Sequence, residues 1–265
     1  MIDFTHFLAC ALLAKASFAF PAPFANVARQ AGDTCPASVV SCQNVSGVNS
    51  CCVETPGGEL LQTQFWDFDP STGPADSWTV HGLWPDNCDG TFEQDCDPSR
   101  NYPSITNVLS DNGKEDLLQW MDEFWVDING KNEQFWSHEW NKHGTCMSTI
   151  APSCMPEGSK TGLDAASYFQ LAADTFKSLP TYEFLASAGI EPDETKTHTL
   201  ADLTSAIKEA HGFLPALDCK KGALNSISYY FNLKGTVMNG SLVAFDAPKA
   251  GSCPKNGIKY LPKTN

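Results

Sequence analysis

Several absences narrow the chemistry before any motif is read. The chain contains no Gly-x-Ser-x-Gly elbow, which removes one common serine-hydrolase arrangement. It contains no Cys-x-x-Cys pair, the spacing that structural zinc sites favour. No two histidines stand four residues apart around a glutamate, so the zinc-protease pattern is missing too. Basic residues are few: 17 Lys and Arg face 31 Asp and Glu, for a formal net charge of −14. A nucleic-acid binder normally carries a basic footprint, so the body as a whole argues against one. A local basic cluster can still hold phosphate on an acidic body. There is no internal repeat, low-complexity tract or long charge run, and the 265 residues read as one globular domain.

The most apolar stretch, residues 7–14, is too short to span a bilayer. Ser17 and Ala19 follow it and suit signal-peptidase cleavage, although no basic residue precedes the run. Residues 1–19 therefore read as a secretory signal, residues 20–34 as an N-terminal extension or short pro-segment, and residues 35–265 as the catalytic domain. Cys10 leaves with the signal, and the ten remaining cysteines imply five disulfides in an oxidising compartment. Asn44 and Asn239 stand in glycosylation sequons, which agrees with secretion. The expected destination is extracellular, or a vacuole- or lysosome-like lumen, with no membrane anchor. A monomer is expected.

Along the chain, residues 35–58 read as a stapled irregular layer, and Leu60–Trp66 and Ser77–Trp84 as strands. Apolar residues 117, 118, 121, 124 and 125 give 115–125 an amphipathic helical pattern. Helices follow at 135–143, 164–179 and 199–211, the last with Gly212 beyond its end. Strand-like segments close the chain at 214–219, 223–233 and 241–245. This order predicts an α+β fold, with a mainly antiparallel central sheet and packed helices in a disulfide-stapled single domain. Trp66, Trp120, Trp125 and Trp136 read as core. His198 and His211 read as surface or capping residues, and the acidic stretch around Asp95 and Asp97 as a solvated face.

Phe135-Trp-Ser-His-Glu-Trp-Asn-Lys-His-Gly-Thr-Cys146 is the stretch that demands a function. As a helix it sets Glu139 and His143 on one face, with His138 and Lys142 beside them. Four ionisable groups along one turn and a half are costly to bury for stability alone. His138 and His143 are five apart and diverge on a helix, so no metal is expected there. Val80-His81-Gly-Leu-Trp-Pro85 supplies a second imidazole on a strand, next to a Gly that permits close approach. Together they suggest a two-histidine acid–base pair. A two-carboxylate glycosidase is not excluded by spacing, but it has no use for this cluster.

The segments Trp78–Pro85 and Phe135–Cys146 resemble the two active-site segments of the ribonuclease T2 family, secreted acid-active endoribonucleases of low base specificity. The cysteine layout resembles the fungal branch. The resemblance implies pairings Cys35–Cys52, Cys42–Cys88, Cys51–Cys154, Cys96–Cys146 and Cys219–Cys253. It implies transphosphorylation of single-stranded RNA to a 2′,3′-cyclic phosphate and then hydrolysis to 3′-phosphates, with no cofactor. By the same resemblance His143 is the general base, His81 the general acid, and Lys142 a positive charge for the phosphorane. Glu139 and His138 attend the phosphate. Trp84 and Phe92 stack the 5′-side base, Asp86 accepts from its amine, and Gln64 and Phe135 line the 3′-side base. Many relatives carry Tyr where Phe92 stands, so a hydroxyl contact is expected to be missing. The rival expectation is a secreted binding or cytotoxic module for which catalysis is dispensable.

Overall fold

The computed structural model describes residues 35–43 and 45–264. The signal and extension assigned to 1–34 and the sequon residue Asn44 lie outside the described residues. Five strands form one antiparallel sheet: β1 (Glu59–Phe65), β2 (Thr79–Asp86), β3 (Ala216–Lys220), β4 (Ala223–Lys234) and β5 (Ser241–Phe245). The order is β2-β1-β4-β3, and β5 pairs with the far half of the long β4. β1 is therefore flanked on both sides, and all but its last residue are buried. A strand covered on both faces loses the alternation expected of a half-exposed one.

Helices α1 (Ile105–Asp111), α2 (Glu115–Phe124), α3 (Asn132–Lys142), α4 (Leu163–Lys177), α5 (Thr181–Ser187) and α6 (Leu200–His211) complete the fold. The antiparallel α+β arrangement, the four longer helices and all five strands match the sequence reading. The short α1 and α5 were not foreseen. α4 packs on β1 and β2, and its alanines at 165, 166, 172 and 173 are buried beside Tyr168 and Phe169. α6 opens on a capping box, Thr199 with Asp202, and ends at Gly212 with φ 98°.

Trp66, Trp125 and Trp136 are fully or almost fully buried, as expected, whereas Trp120 is only partly buried and stacks on Phe124. His211 corrects its expectation. It meets Tyr229, Phe231 and Phe213 edge to face, and burial lowers its pKa. All five disulfides form in the implied pairing. Asp95 is exposed as foreseen, but its N–H donates to the Lys142 carbonyl at 3.0 Å, docking the 88–96 loop on the end of α3.

Behind α3 lies a buried ion pair. Arg100 Nε donates to Asp164 Oδ2 at 2.9 Å, while its other nitrogens donate to the carbonyls of Thr145 and Ile150. Tyr102 donates to the second Asp164 oxygen at 2.8 Å. The guanidinium also lies over the Trp140 ring, 4.9 Å from its centroid. This fork fixes the chain immediately after His143.

Candidate active site

β2 leaves regular pairing at its histidine. Thr63 faces Gly82 and Gln64 faces Val80, so His81 is the extra residue of a β-bulge. A bulge frees one residue from the ladder and re-aims its side chain. The His81 carbonyl accepts instead from the Trp125 indole N–H at 3.0 Å. The Trp125 carbonyl in turn accepts from the Trp136 indole at 2.7 Å. Trp136 lies on α3, so two hydrogen bonds tie the His81 backbone to the helix that carries the other ionisable groups.

α3 aims Glu139 inward and ends at His143, whose N–H still donates to the Glu139 carbonyl. The helix can pass this close to β2 because residue 82 is glycine. A Cβ there would overlap Glu139 Oε2 and lie 2.6 Å from Trp84 Nε1. Glu139 is fully buried, and its Oε2 accepts from the Trp84 indole at 2.9 Å. Its Oε1 has no hydrogen-bond partner and lies 3.7 Å from His81 Nε2.

Burial pushes the Glu139 carboxyl up to about 8, outweighing the Trp84 hydrogen bond and the attraction of Lys142. Burial also pushes His81 down to about 3, with His143, His138 and Lys142 adding repulsion. His143 is likewise pushed down to about 3 by burial, then by Lys142 and His138. At 3.7 Å, His81 and Glu139 are close enough for an ion pair, but a protonated acid beside a neutral imidazole makes a neutral contact. The resting site therefore holds two uncharged imidazoles with Lys142 close by.

Trp84 touches both imidazoles. Its ring stacks on His143, with centroids 4.9 Å apart and planes 21° apart, and meets His81 nearly perpendicularly at 4.7 Å. Phe135 is half-buried and tilts against His81 at 5.9 Å. His138 lies exposed at the rim. Its pKa is lowered by partial burial and by Lys142, with Asp95 opposing. Asp86 ends β2, bridges to Phe92 across the loop, and is pushed up to about 7 by burial and then by Glu59. Phe92 is 56% exposed, an open aromatic face beside Asp86.

One expected residue is not brought to the site. Gln64 is fully buried, its amide donating to the Leu179 carbonyl and accepting from Thr181 Oγ1. With both ends of the amide engaged in the core, it offers nothing to a base. Two residues that sequence reasoning passed over take part instead. Trp125 was read as core alone, yet it holds the His81 carbonyl. Phe65, the one incompletely buried residue of β1, stacks on His81 with centroids 4.0 Å apart and planes 23° apart. Among the described residues, no group of three or more His, Cys, Asp or Glu is placed to hold a metal ion.

The arrangement can move protons to and from a bound group at two points, beside one ammonium. The chain matches the Ribonuclease T2 family over residues 50–240. It is 50% identical over 228 residues to ribonuclease Le2 of Lentinula edodes, covering 85% of this chain and 95% of that protein. It is 48% identical to ribonuclease T2 of Aspergillus oryzae, covering 87% and 84% of the two chains. Among solved structures it superposes on Actibind, described as a T2 ribonuclease and antitumorigenic agent, with a TM-score of 0.84. That match has 48% identity and covers 88% of this chain and 99% of the other.

Proposed function

The chain belongs to the ribonuclease T2 family and is an endoribonuclease of that type, and from its site we propose how it cuts and what it prefers. The substrate is single-stranded RNA, cleaved with low base specificity to 2′,3′-cyclic phosphates and then to 3′-phosphates. His143 takes the proton of the ribose 2′-OH as that oxygen attacks phosphorus. His81 delivers a proton to the departing 5′-oxygen, and the two exchange roles when water opens the cyclic phosphate. Lys142 faces the charge that develops on the non-bridging oxygens. DNA, lacking the 2′-OH, is not cut.

The observation that carries this reading is the placement of the two imidazoles. One is thrown out of β2 by a bulge and the other ends α3, and Trp84 contacts both. Their low resting pKa values have a physical remedy in the substrate. A bound phosphodiester brings the negative charge that the buried site lacks, and it raises both imidazoles towards the working range. Because His81 must be protonated, the rate falls as pH rises through its pKa in the complex, so an acid optimum is expected.

Glu139, sealed from solvent and protonated below about 8, acts on Trp84 and His81 rather than directly on phosphate. His138, at the rim, meets the phosphate as it enters. Trp84 and Phe92 stack the 5′-side base with Asp86 beside them, and Phe135 flanks the 3′-side base. Stacking tolerates any base, which accounts for low specificity. Secretion as a glycosylated monomer completes the reading, with Asn239 exposed for modification. The rival expectation of a module that does not need catalysis gains nothing from a site in which both imidazoles and Lys142 stand intact.

The test is release of acid-soluble nucleotides from yeast RNA by His81→Phe and His143→Phe. Each variant should fold normally by circular dichroism and lose about 10²–10⁴-fold in rate or more. A folded variant retaining a tenth of wild-type activity would remove its residue from the mechanism.

A further inference from the structure

We propose that Phe65 is a positioning residue for this reaction, holding the plane of the His81 imidazole through a face-to-face stack. The inference rests on the reading of His81 as the proton donor to the leaving oxygen. Phe65 and His81 come from neighbouring strands, and regular pairing would not superpose them. The bulge does so, by inserting His81 between the pairs Thr63–Gly82 and Gln64–Val80 while Phe65 stays opposite Thr79. The rings then lie 4.0 Å apart and 23° from parallel. With its carbonyl held by Trp125 and one face covered by Phe65, the imidazole keeps little freedom to rotate. A donor that must meet one oxygen of an in-line displacement gains from that restriction.

The stack has a second effect, set by charge. From α3, His143, His138 and Lys142 all repel a proton on His81, and Glu139 is neutral while it keeps its own proton. β1 presents Phe65 to the His81 ring, and Trp125, just past α2, gives its indole N–H to the His81 carbonyl; neither carries a charge. Trp84 meets the ring nearly perpendicularly, and Phe135 is tilted and farther away. An aromatic face within about 6 Å attracts a cation through its quadrupole, so Phe65 favours the protonated imidazole. Its bulk also keeps water away, which disfavours that form. The two effects have opposite signs and can be separated by substitution.

The experiment uses the secreted full chain, a single-stranded oligoribonucleotide as substrate, and kcat and KM measured from pH 3.5 to 7.5. The His81 ring signal, assigned by its loss in His81→Phe, is titrated by NMR with a non-cleavable 2′-deoxy oligonucleotide bound, whose phosphates bring the His81 pKa up into that range. Phe65→Leu keeps the volume and removes the ring face. It should lower kcat about 3–10-fold with KM within about twofold, and move the His81 pKa down by about 0.4–0.7 unit. Phe65→Tyr should restore both. Pentafluorophenylalanine at position 65, with the same shape but a reversed quadrupole, should reproduce the Leu shift in a fully native fold. An unchanged or raised His81 pKa in both altered proteins, or a loss confined to KM, would overturn the proposal. If His81→Phe remains active while the His81 pKa still falls in Phe65→Leu, the assignment of His81 has failed and the stack itself has not.

Discussion

Replacing Glu139 with Gln should change how stability depends on pH more than it changes stability at acid pH. The wild-type carboxyl has a folded pKa of about 8 against a reference value of 4.5, because it is fully buried. Between those values the folded chain binds a proton that the unfolded chain has released. Stability from this group is thus fully present below 4.5 and is lost as pH rises towards 8. The imidazoles act in the opposite sense. Folded values of about 3 against 6.5 make His81 and His143 add stability as pH rises from 3 to 6.5. Asp86, raised to about 7 and only half-buried, reinforces the decline more weakly. The two trends offset one another between about 4.5 and 6.5, and above 6.5 the carboxyls act alone. From pH 6.5 to pH 8, Glu139 by itself should account for roughly 1.5–2 kcal/mol of lost stability. Gln keeps an oxygen for the Trp84 indole and cannot ionise. Guanidinium unfolding with the disulfides intact, at pH 5, 6.5 and 8, measures the difference directly. The variant should resemble wild type at pH 5, pull ahead of it by pH 6.5, and gain that further amount relative to it between pH 6.5 and pH 8. A gap between the two proteins that stays constant across the three pH values would refute a buried, protonated Glu139.

Gly82→Ala should cost most of the activity and about 1–3 kcal/mol of stability by denaturant titration, because the added methyl must displace Glu139 or the Trp84 indole. Asp164→Ala leaves the Arg100 guanidinium buried without its carboxylate. It should lower stability by about 3–5 kcal/mol, read as a fall in the guanidinium midpoint. Cleavage should persist in excess EDTA, and loss on chelation with rescue by zinc would bring a metal back into the mechanism.

Local pattern carried most of the architecture because the longer elements obey their periods. The 115–125 stripe and the capped 199–211 helix appear within a residue or two of expectation. α1 was missed although Ser104 caps it and Ile105, Val108 and Leu109 form its buried stripe, because seven residues are too few for a period to declare itself. Gln64 was misplaced for another reason. It stands on a strand flanked and covered on both sides, where the direction of a polar side chain follows from its hydrogen-bond partners and not from alternation. The sequence around His81 reads as an ordinary strand, since a bulge is a relation between two strands and leaves no mark on either alone. The Phe65 stack and the Trp125 bond follow from that register and were invisible with it. Glu139 is the opposite case: its residue type and spacing marked it as functional, and only the fold revealed that it is sealed from solvent.

The Cys96–Cys146 bond joins the end of the Phe92 loop to a point three residues past His143, closing a loop with a sequence separation of 50. By chain entropy such a closure is worth about 4 kcal/mol. Because it ties the loop that carries the open face of Phe92 to the end of α3, its loss should first loosen the proposed base site relative to His143. A molecule stranded where glutathione keeps thiols reduced would fold poorly around its own active centre. The same covalent link would thus arm this nuclease only where thiols are oxidised.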